Sequence, residues 1–137
     1  MIRKATAVWN GSGKEGSGQL TTHSNVLNKV SYNYRKRFEE EPGTNPEELV
    51  AAAHAGCFAM KLSFVLGEKG FTPDSLQARC EITFEKGVVS KSHLVVEGKV
   101  PGINEQQFQD AVKDAAQNCP ISKVLKAEIS SEAKLVQ

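Results

Sequence analysis

Ala5, Ala7 and Trp9 stand at every second position and predict a first strand. Asn10-Gly11-Ser12-Gly13 predicts a turn, and Gly18 to Thr22 a second short strand. The alternation of Val30, Tyr32 and Tyr34 predicts a third strand, ending in Arg35-Lys36-Arg37-Phe38. Glu39-Glu40-Glu41-Pro42-Gly43-Thr44-Asn45-Pro46 is punctuated by proline and glycine and reads as a loop.

The pattern then becomes helical. Asn45 suits an N-cap, Pro46 the first helical position, and Glu47 and Glu48 the positive end of the helix dipole. The helix is expected to reach Lys69, where Gly70 stops it. Apolar side chains surround it almost completely, so burial on all sides is expected. Leu49 to Leu66 is 18 residues long and touches the lower limit for a membrane span. His54, Lys61, Ser63 and a cluster of alanines at one end favour a buried helix instead.

Period two returns with Leu76, Ala78, Cys80, Ile82 and Phe84 on one face and Gln77, Arg79, Glu81, Thr83 and Glu85 on the other. Lys86-Gly87 turns the chain, and a strand returns from Ser90 to Val100. Asn104, with Gln107 three residues on, predicts a capping box for a second helix. Phe108, Ala111, Val112, Ala115, Ala116 and Cys119 keep helical spacing on one face until Pro120 breaks the helix. A short helical turn follows through Leu125, and Glu128 to Val136 reads as a last strand. The order of elements predicts an α+β fold, in one domain spanning 1–137.

Charge excludes more than it suggests. Against 17 basic residues stand 16 acidic ones, with no polybasic run, so neither nucleic acid nor a membrane surface is an expected partner. No apolar run follows the first charges, so no secretory leader is expected and a cytoplasmic location is. Three cysteines are an odd number and no secretory leader is expected, which speaks against a disulfide framework, and the lack of a Cys-x-x-Cys speaks against a zinc ribbon.

Cys80 occupies an apolar slot in a clean alternation and reads as filler. Cys57 and Cys119 read either as core atoms or as reactive thiols. Small neighbours around Cys57, the proline stop after Cys119 and the cations at Arg35-Lys36-Arg37 tilt the reading toward redox chemistry. His54 and Cys57 share a helix face, but two ligands are too few for a metal, so His54 is expected to be buried and hydrogen-bonded.

Three segments together are specific. Gly43-Thr44-Asn45-Pro46-Glu47-Glu48-Leu49, Ala52-Ala53-His54-Ala55-Gly56-Cys57-Phe58 and Asn118-Cys119-Pro120-Ile121-Ser122-Lys123-Val124-Leu125 closely resemble the OsmC/Ohr family of thiol peroxidases. The likeness covers essentially the whole chain, with the two cysteines 62 residues apart. Ala-His-Ala before Cys57 and Ser-Lys-Val-Leu after Cys119 look like the OsmC (osmotically inducible protein) branch; the organic hydroperoxide resistance branch usually has tyrosine where His54 stands.

The resemblance implies antiparallel strands around a buried central helix, an intertwined homodimer, and reduction of organic hydroperoxides, with hydrogen peroxide reduced more weakly. It implies a peroxidatic Cys57, a resolving Cys119, a functional arginine at Arg37 (with Arg35 as a rival) and a functional glutamate at Glu47. It implies no bound cofactor or metal; electrons would return through a dihydrolipoyl-type dithiol, including one on a lipoylated protein. Phe38 and Phe58 are candidates for lining an apolar substrate pocket.

Chemistry gives these residues their roles. A thiolate attacks the peroxide, and burial opposes its formation, so a nearby guanidinium is needed. The same guanidinium would stabilise charge on the departing alkoxide. Glu47 beside the thiolate would oppose ionisation, so its expected task is to pair with Arg37 and aim it. Glu47 and Cys57 are ten residues apart, about 15 Å of rise and about 280° of rotation on one helix. If both serve one site, Glu47 must serve the cysteine of a second chain, in a two-fold dimer. The alternative is a non-enzymatic domain of the same fold that binds a small hydrophobic ligand at the dimer interface. A thiol redox sensor acting on another protein is a third reading.

Overall fold

The structure is a computed structural model that describes residues 1–137. Strands β1 (Ala5–Asn10), β2 (Ser17–Thr22) and β3 (Val30–Tyr32) form an antiparallel sheet in that order. The register sets Trp9 opposite Gly18 and Gly18 opposite Tyr32. Gly18 leaves room there for both rings, because a Cβ would stand 2.5 Å from Trp9 and 2.6 Å from Tyr32. The pairing puts Ala7, Leu20 and Val30 in one row, with Trp9 and Tyr32 on the same face.

Tyr34 leaves the alternation that predicted a longer β3. It starts a helix, α1 (Tyr34–Phe38), so Arg35 to Phe38 are helical and not a strand end. The Asn33 side chain caps it by accepting from the Lys36 N–H at 2.9 Å. Tyr34 and Phe38 then stack one turn apart, with ring centroids 4.8 Å apart. Five aromatic or basic residues in a row, Tyr34 to Phe38, hide this local preference from a period-two reading.

Helix α2 (Pro46–Glu68) begins as its sequence predicts. Asn45 accepts from the Glu48 N–H at 2.8 Å, and Gly70 ends the run at a positive φ of 88°. Burial is one-sided, contrary to the expectation of an all-round apolar environment. His54, Phe58, Leu62, Val65 and Leu66 are buried. Opposite them, Ala53, Gly56, Met60 and Phe64 form an exposed stripe at helical spacing.

Strands β4 (Ser75–Glu85) and β5 (Val88–Lys99) form the predicted hairpin, turned by Lys86 and Gly87 at positive φ. Helix α3 (Glu105–Asn118) carries the predicted capping box between Asn104 and Gln107. Helix α4 (Pro120–Val124) starts at the proline that stops α3. Strand β6 (Glu128–Val136) then pairs with β5 in parallel, which corrects the expectation of antiparallel strands throughout. The α3–α4 excursion is a crossover, and a crossover lets a returning strand run parallel.

The chain divides into two units, Met1–Leu49 and Val50–Gln137, with α2 starting in the first and continuing into the second. The hydrophobic core belongs to the second: Phe58, Leu62, Leu66, Leu94, Val96, Phe108 and Val112 have almost no exposed surface. In the first, Gly18 is the only buried residue and no side chain reaches burial.

Candidate active site

Inward-facing positions of β5 alternate through Ser92, Leu94, Val96 and Gly98. Ser92 is the polar exception, and it points at a polar residue of α2. His54 is fully buried, with Nδ1 2.5 Å from Ser92 Oγ and Nε2 2.7 Å from Ser122 Oγ. Both ring nitrogens are therefore satisfied, as expected of a buried imidazole. Burial lowers the pKa of His54 below its ordinary value of 6.5, so the ring is neutral at neutral pH. One nitrogen then donates and the other accepts.

The network continues to sulfur at both ends. Ser122 Oγ lies 3.0 Å from Cys119 Sγ, and Ser92 Oγ lies 3.1 Å from Cys80 Sγ. Cys80 Sγ is also 3.7 Å from His54 Nδ1. Cys80 thus occupies more than the filler role its alternation suggests. Burial pushes its thiol up, partly offset by the Ser92 hydrogen bond.

Cys57 is half-buried one turn after His54, and Cys119 is fully buried at the end of α3. Cys119 is near enough to Cys57 to act on its ionisation. Burial is the main force on Cys57 and raises its thiol above the ordinary 9.0. A hydrogen bond from the Ile121 backbone N–H works against this, Cys119 adds to the rise, and Lys61 lowers it slightly. Within one chain the balance keeps Cys57 protonated at neutral pH.

Arg37 and Glu47 meet in a two-point ion pair. Arg37 Nε donates to Glu47 Oε1 at 2.8 Å, and Nη2 donates to Oε2 at 3.1 Å. Of the two candidate arginines, Arg37 is the one that holds the carboxylate. Its guanidinium also lies 5.1 Å from the Phe38 ring centroid. Trp9, Tyr32, Tyr34, Arg37 and Phe38 line a cavity of about 260 Å³. Phe58, the other candidate for lining a pocket, is a fully buried core residue.

The structure thus pairs Arg37 with Glu47 and brings Cys119 near enough to Cys57 to act on its ionisation. Sequence reasoning missed Ser92, Ser122 and the polar side of Cys80. Ser122 had a signal, three residues after Cys119 in a recognisable motif. Ser92 had a weaker one, a serine in the apolar register of β5. No group of three or more His, Cys, Asp or Glu side chains stands ready to hold a metal.

The profile of the family described as OsmC-like protein matches residues 38–134. Peroxiredoxin OsmC of Escherichia coli (strain K12) is 44% identical over 137 residues, covering 97% of this chain and 96% of that one. The organic hydroperoxide resistance protein OhrB of Bacillus subtilis (strain 168) is 28% identical over 127 residues, 87% of this chain and 89% of that one. An OsmC-like protein from Mycoplasma pneumoniae, known from a crystal structure, shares the fold at a TM-score of 0.75 and 16% identity, over 100% of this chain and 99% of that one. With its paired cysteines, its α+β architecture and these relatives, the chain belongs to the OsmC-like family, nearer to its OsmC members than to OhrB.

Proposed function

We propose that this protein is a cysteine peroxidase that reduces organic hydroperoxides, with Cys57 as the attacking thiol and Cys119 as its resolving partner. One observation carries this reading: fully buried Cys119, hydrogen-bonded through Ser122 to a neutral histidine, is near enough to half-buried Cys57 to act on its ionisation. A resolving cysteine has to stand near the attacking one, because a disulfide closes only over a short span. A filler role asks for no such pairing.

The thiolate of Cys57 displaces the distal peroxide oxygen's leaving group, and an alcohol departs. The sulfenic acid formed on Cys57 is attacked by Cys119, giving a disulfide and water. A dithiol of the dihydrolipoyl type then reduces that disulfide by exchange.

Ionising Cys57 needs a cation strong enough to overcome burial, and Lys61 is not. We assign that task to Arg37 of a second copy of the chain, aimed by its pair with Glu47. Glu47 and Cys57 are ten residues apart on continuous α2, about 15 Å along its axis. A dimer that brings one copy's Arg37–Glu47 pair to the other's Cys57 resolves that distance. Two further observations support the dimer. Residues 1–49 bury no side chain, although a small sheet needs a covered apolar face to be stable. The exposed stripe of Ala53, Gly56, Met60 and Phe64 offers an apolar face that a second α2 could cover, with the small Ala53 and Gly56 giving room at one end. The aromatic cavity beside Arg37 suits the hydrocarbon part of an organic hydroperoxide.

Intact-mass measurement after a brief pulse of alkyl hydroperoxide tests the reading. Each chain should lose one hydrogen from each of two thiols, and peptide mapping should join Cys57 to Cys119. Cys57→Ser should abolish turnover with a lipoyl dithiol; unchanged turnover would rule the assignment out. Slow oxidation spread over all three cysteines would favour the ligand-binding alternative.

A further inference from the structure

The buried polar side chains of this protein are three: His54, Ser92 and Ser122. They are joined in a line, and the line runs from one cysteine to another: Cys119, Ser122, His54, Ser92, Cys80. An apolar core could have been built at these positions at lower desolvation cost. Closing a Cys57–Cys119 disulfide requires the Cys119 thiol to give up its proton in a buried site.

We propose that Ser122, His54 and Ser92 form a proton relay for Cys119, the thiol that closes the disulfide. Ser122 is the group that touches the reacting sulfur, 3.0 Å away. His54 acts through Ser122, and Ser92 holds the imidazole from its other side. The proposal rests on the peroxidase reading and deepens it.

The neutral ring allows two directions of hydrogen bonding. In one, Cys119 S–H donates to Ser122, the Ser122 O–H donates to His54 Nε2, and Nδ1–H donates to Ser92. In the other, Ser92 O–H donates to Nδ1, Nε2–H donates to Ser122, and the Ser122 O–H donates to Cys119. The first arrangement suits a thiol at Cys119 and the second suits a thiolate. Ser92 matters because a bond at one nitrogen selects the tautomer at the other.

The Cys119 proton passes to Ser122 while the Ser122 proton passes to His54 Nε2. The freed electron pair on Cys119 attacks Cys57 Sγ; an S–S bond forms, the S–O bond breaks, and hydroxide leaves. Cys119 is oxidised and Cys57 is reduced from the sulfenic level. The hydroxide recovers the proton held on His54, leaving one disulfide, one water and a neutral imidazole. Facing His54 are Ser92 of β5, Cys80 of β4 and Ser122 of α4, with Cys119 beyond Ser122; no charged side chain is buried beside it.

The test separates the two halves of the reaction. Full-length wild type, Ser122→Ala, Ser122→Thr and His54→Gln are pulsed with an alkyl hydroperoxide and quenched with an alkylating reagent. Mass spectrometry follows Cys57 sulfenic acid and disulfide over a range of pH. Ser122→Ala is expected to form sulfenic acid at the wild-type rate but to close the disulfide about 10²-fold more slowly near neutral pH. Ser122→Thr keeps the hydroxyl and should restore closure. His54→Gln should slow closure likewise and flatten its pH dependence. Wild-type closure and pH profile in a folded Ser122→Ala protein would overturn the relay. A wild-type Cys57 that never oxidises would instead overturn the peroxidase reading, and the relay with it.

Discussion

Replacing Gly98 with alanine puts a methyl group where the Phe108 ring lies. Gly98 is buried on β5, opposite Leu76 of β4 and Leu135 of β6. A Cβ there would stand 2.6 Å from Cζ and 2.8 Å from Cε1 of Phe108, and 3.1 Å from Leu76 Cδ2. Carbon atoms prefer separations of about 3.5–4.0 Å, so the ring must retreat by about 1 Å. Phe108 is fully buried among well-packed neighbours and has nowhere open to go. Overpacking of this kind costs about 1–3 kcal/mol. Stiffening the unfolded chain by losing a glycine returns about 0.4–1 kcal/mol, since Gly98 has no positive φ to strain. The net expectation is a loss of about 1–2 kcal/mol, read from urea unfolding midpoints at fixed protein concentration. Phe108→Leu should be less damaging in the Gly98→Ala background than alone, with a favourable coupling of about 0.5 kcal/mol or more. An alanine variant as stable as wild type, or additive effects in the double variant, would refute the packing argument.

Other perturbations probe other layers of the molecule. His54 is depressed below 6.5 in the folded chain, so below that pH the unfolded chain binds a proton that the folded one does not. Stability should therefore fall as pH drops through 6.5, by up to about 1.4 kcal/mol per unit, and His54→Gln should remove that part of the slope in paired urea titrations. Asn104→Ala removes the side-chain half of the α3 capping box and should cost about 1 kcal/mol by the same assay. Arg37→Lys breaks the two-point pair with Glu47; because the pair is partly exposed, stability should change by under about 1 kcal/mol while peroxidase turnover falls at least tenfold. Equal turnover by Arg37→Lys and wild type would remove Arg37 from the mechanism. Met60→Glu should lower the apparent mass in sedimentation from dimer to monomer, and an unchanged mass would dissociate that α2 face from the proposed interface.

Local signals were legible wherever one short-range rule governed the backbone. Asn45, Pro46 and Gly70 mark both ends of α2, and Asn104 with Gln107 starts α3. Alternation from Leu76 to Phe84, and the Lys86-Gly87 turn, describe the hairpin. The motifs around Cys57 and Cys119 point to the family. Such features depend on neighbours within a few residues, and the chain itself lists those neighbours.

What depends on distant neighbours had to come from the tertiary structure. The parallel pairing of β6 with β5 is set by where the α3–α4 crossover returns the chain, which no strand's own pattern encodes. One-sided burial of α2 is a matter of which face meets the sheet, and a helix apolar all round does not say. Ser92, 38 residues from His54, and Ser122, 68 residues away, become its hydrogen-bond partners only when β5 and α4 close over α2. By itself, then, the sequence determined the chemistry available: three thiols, three imidazoles and a run of cations at Arg35-Lys36-Arg37. Folding decided which of them share a proton, because hydrogen bonds act over about 3 Å while the residues that make them lie far apart along the chain.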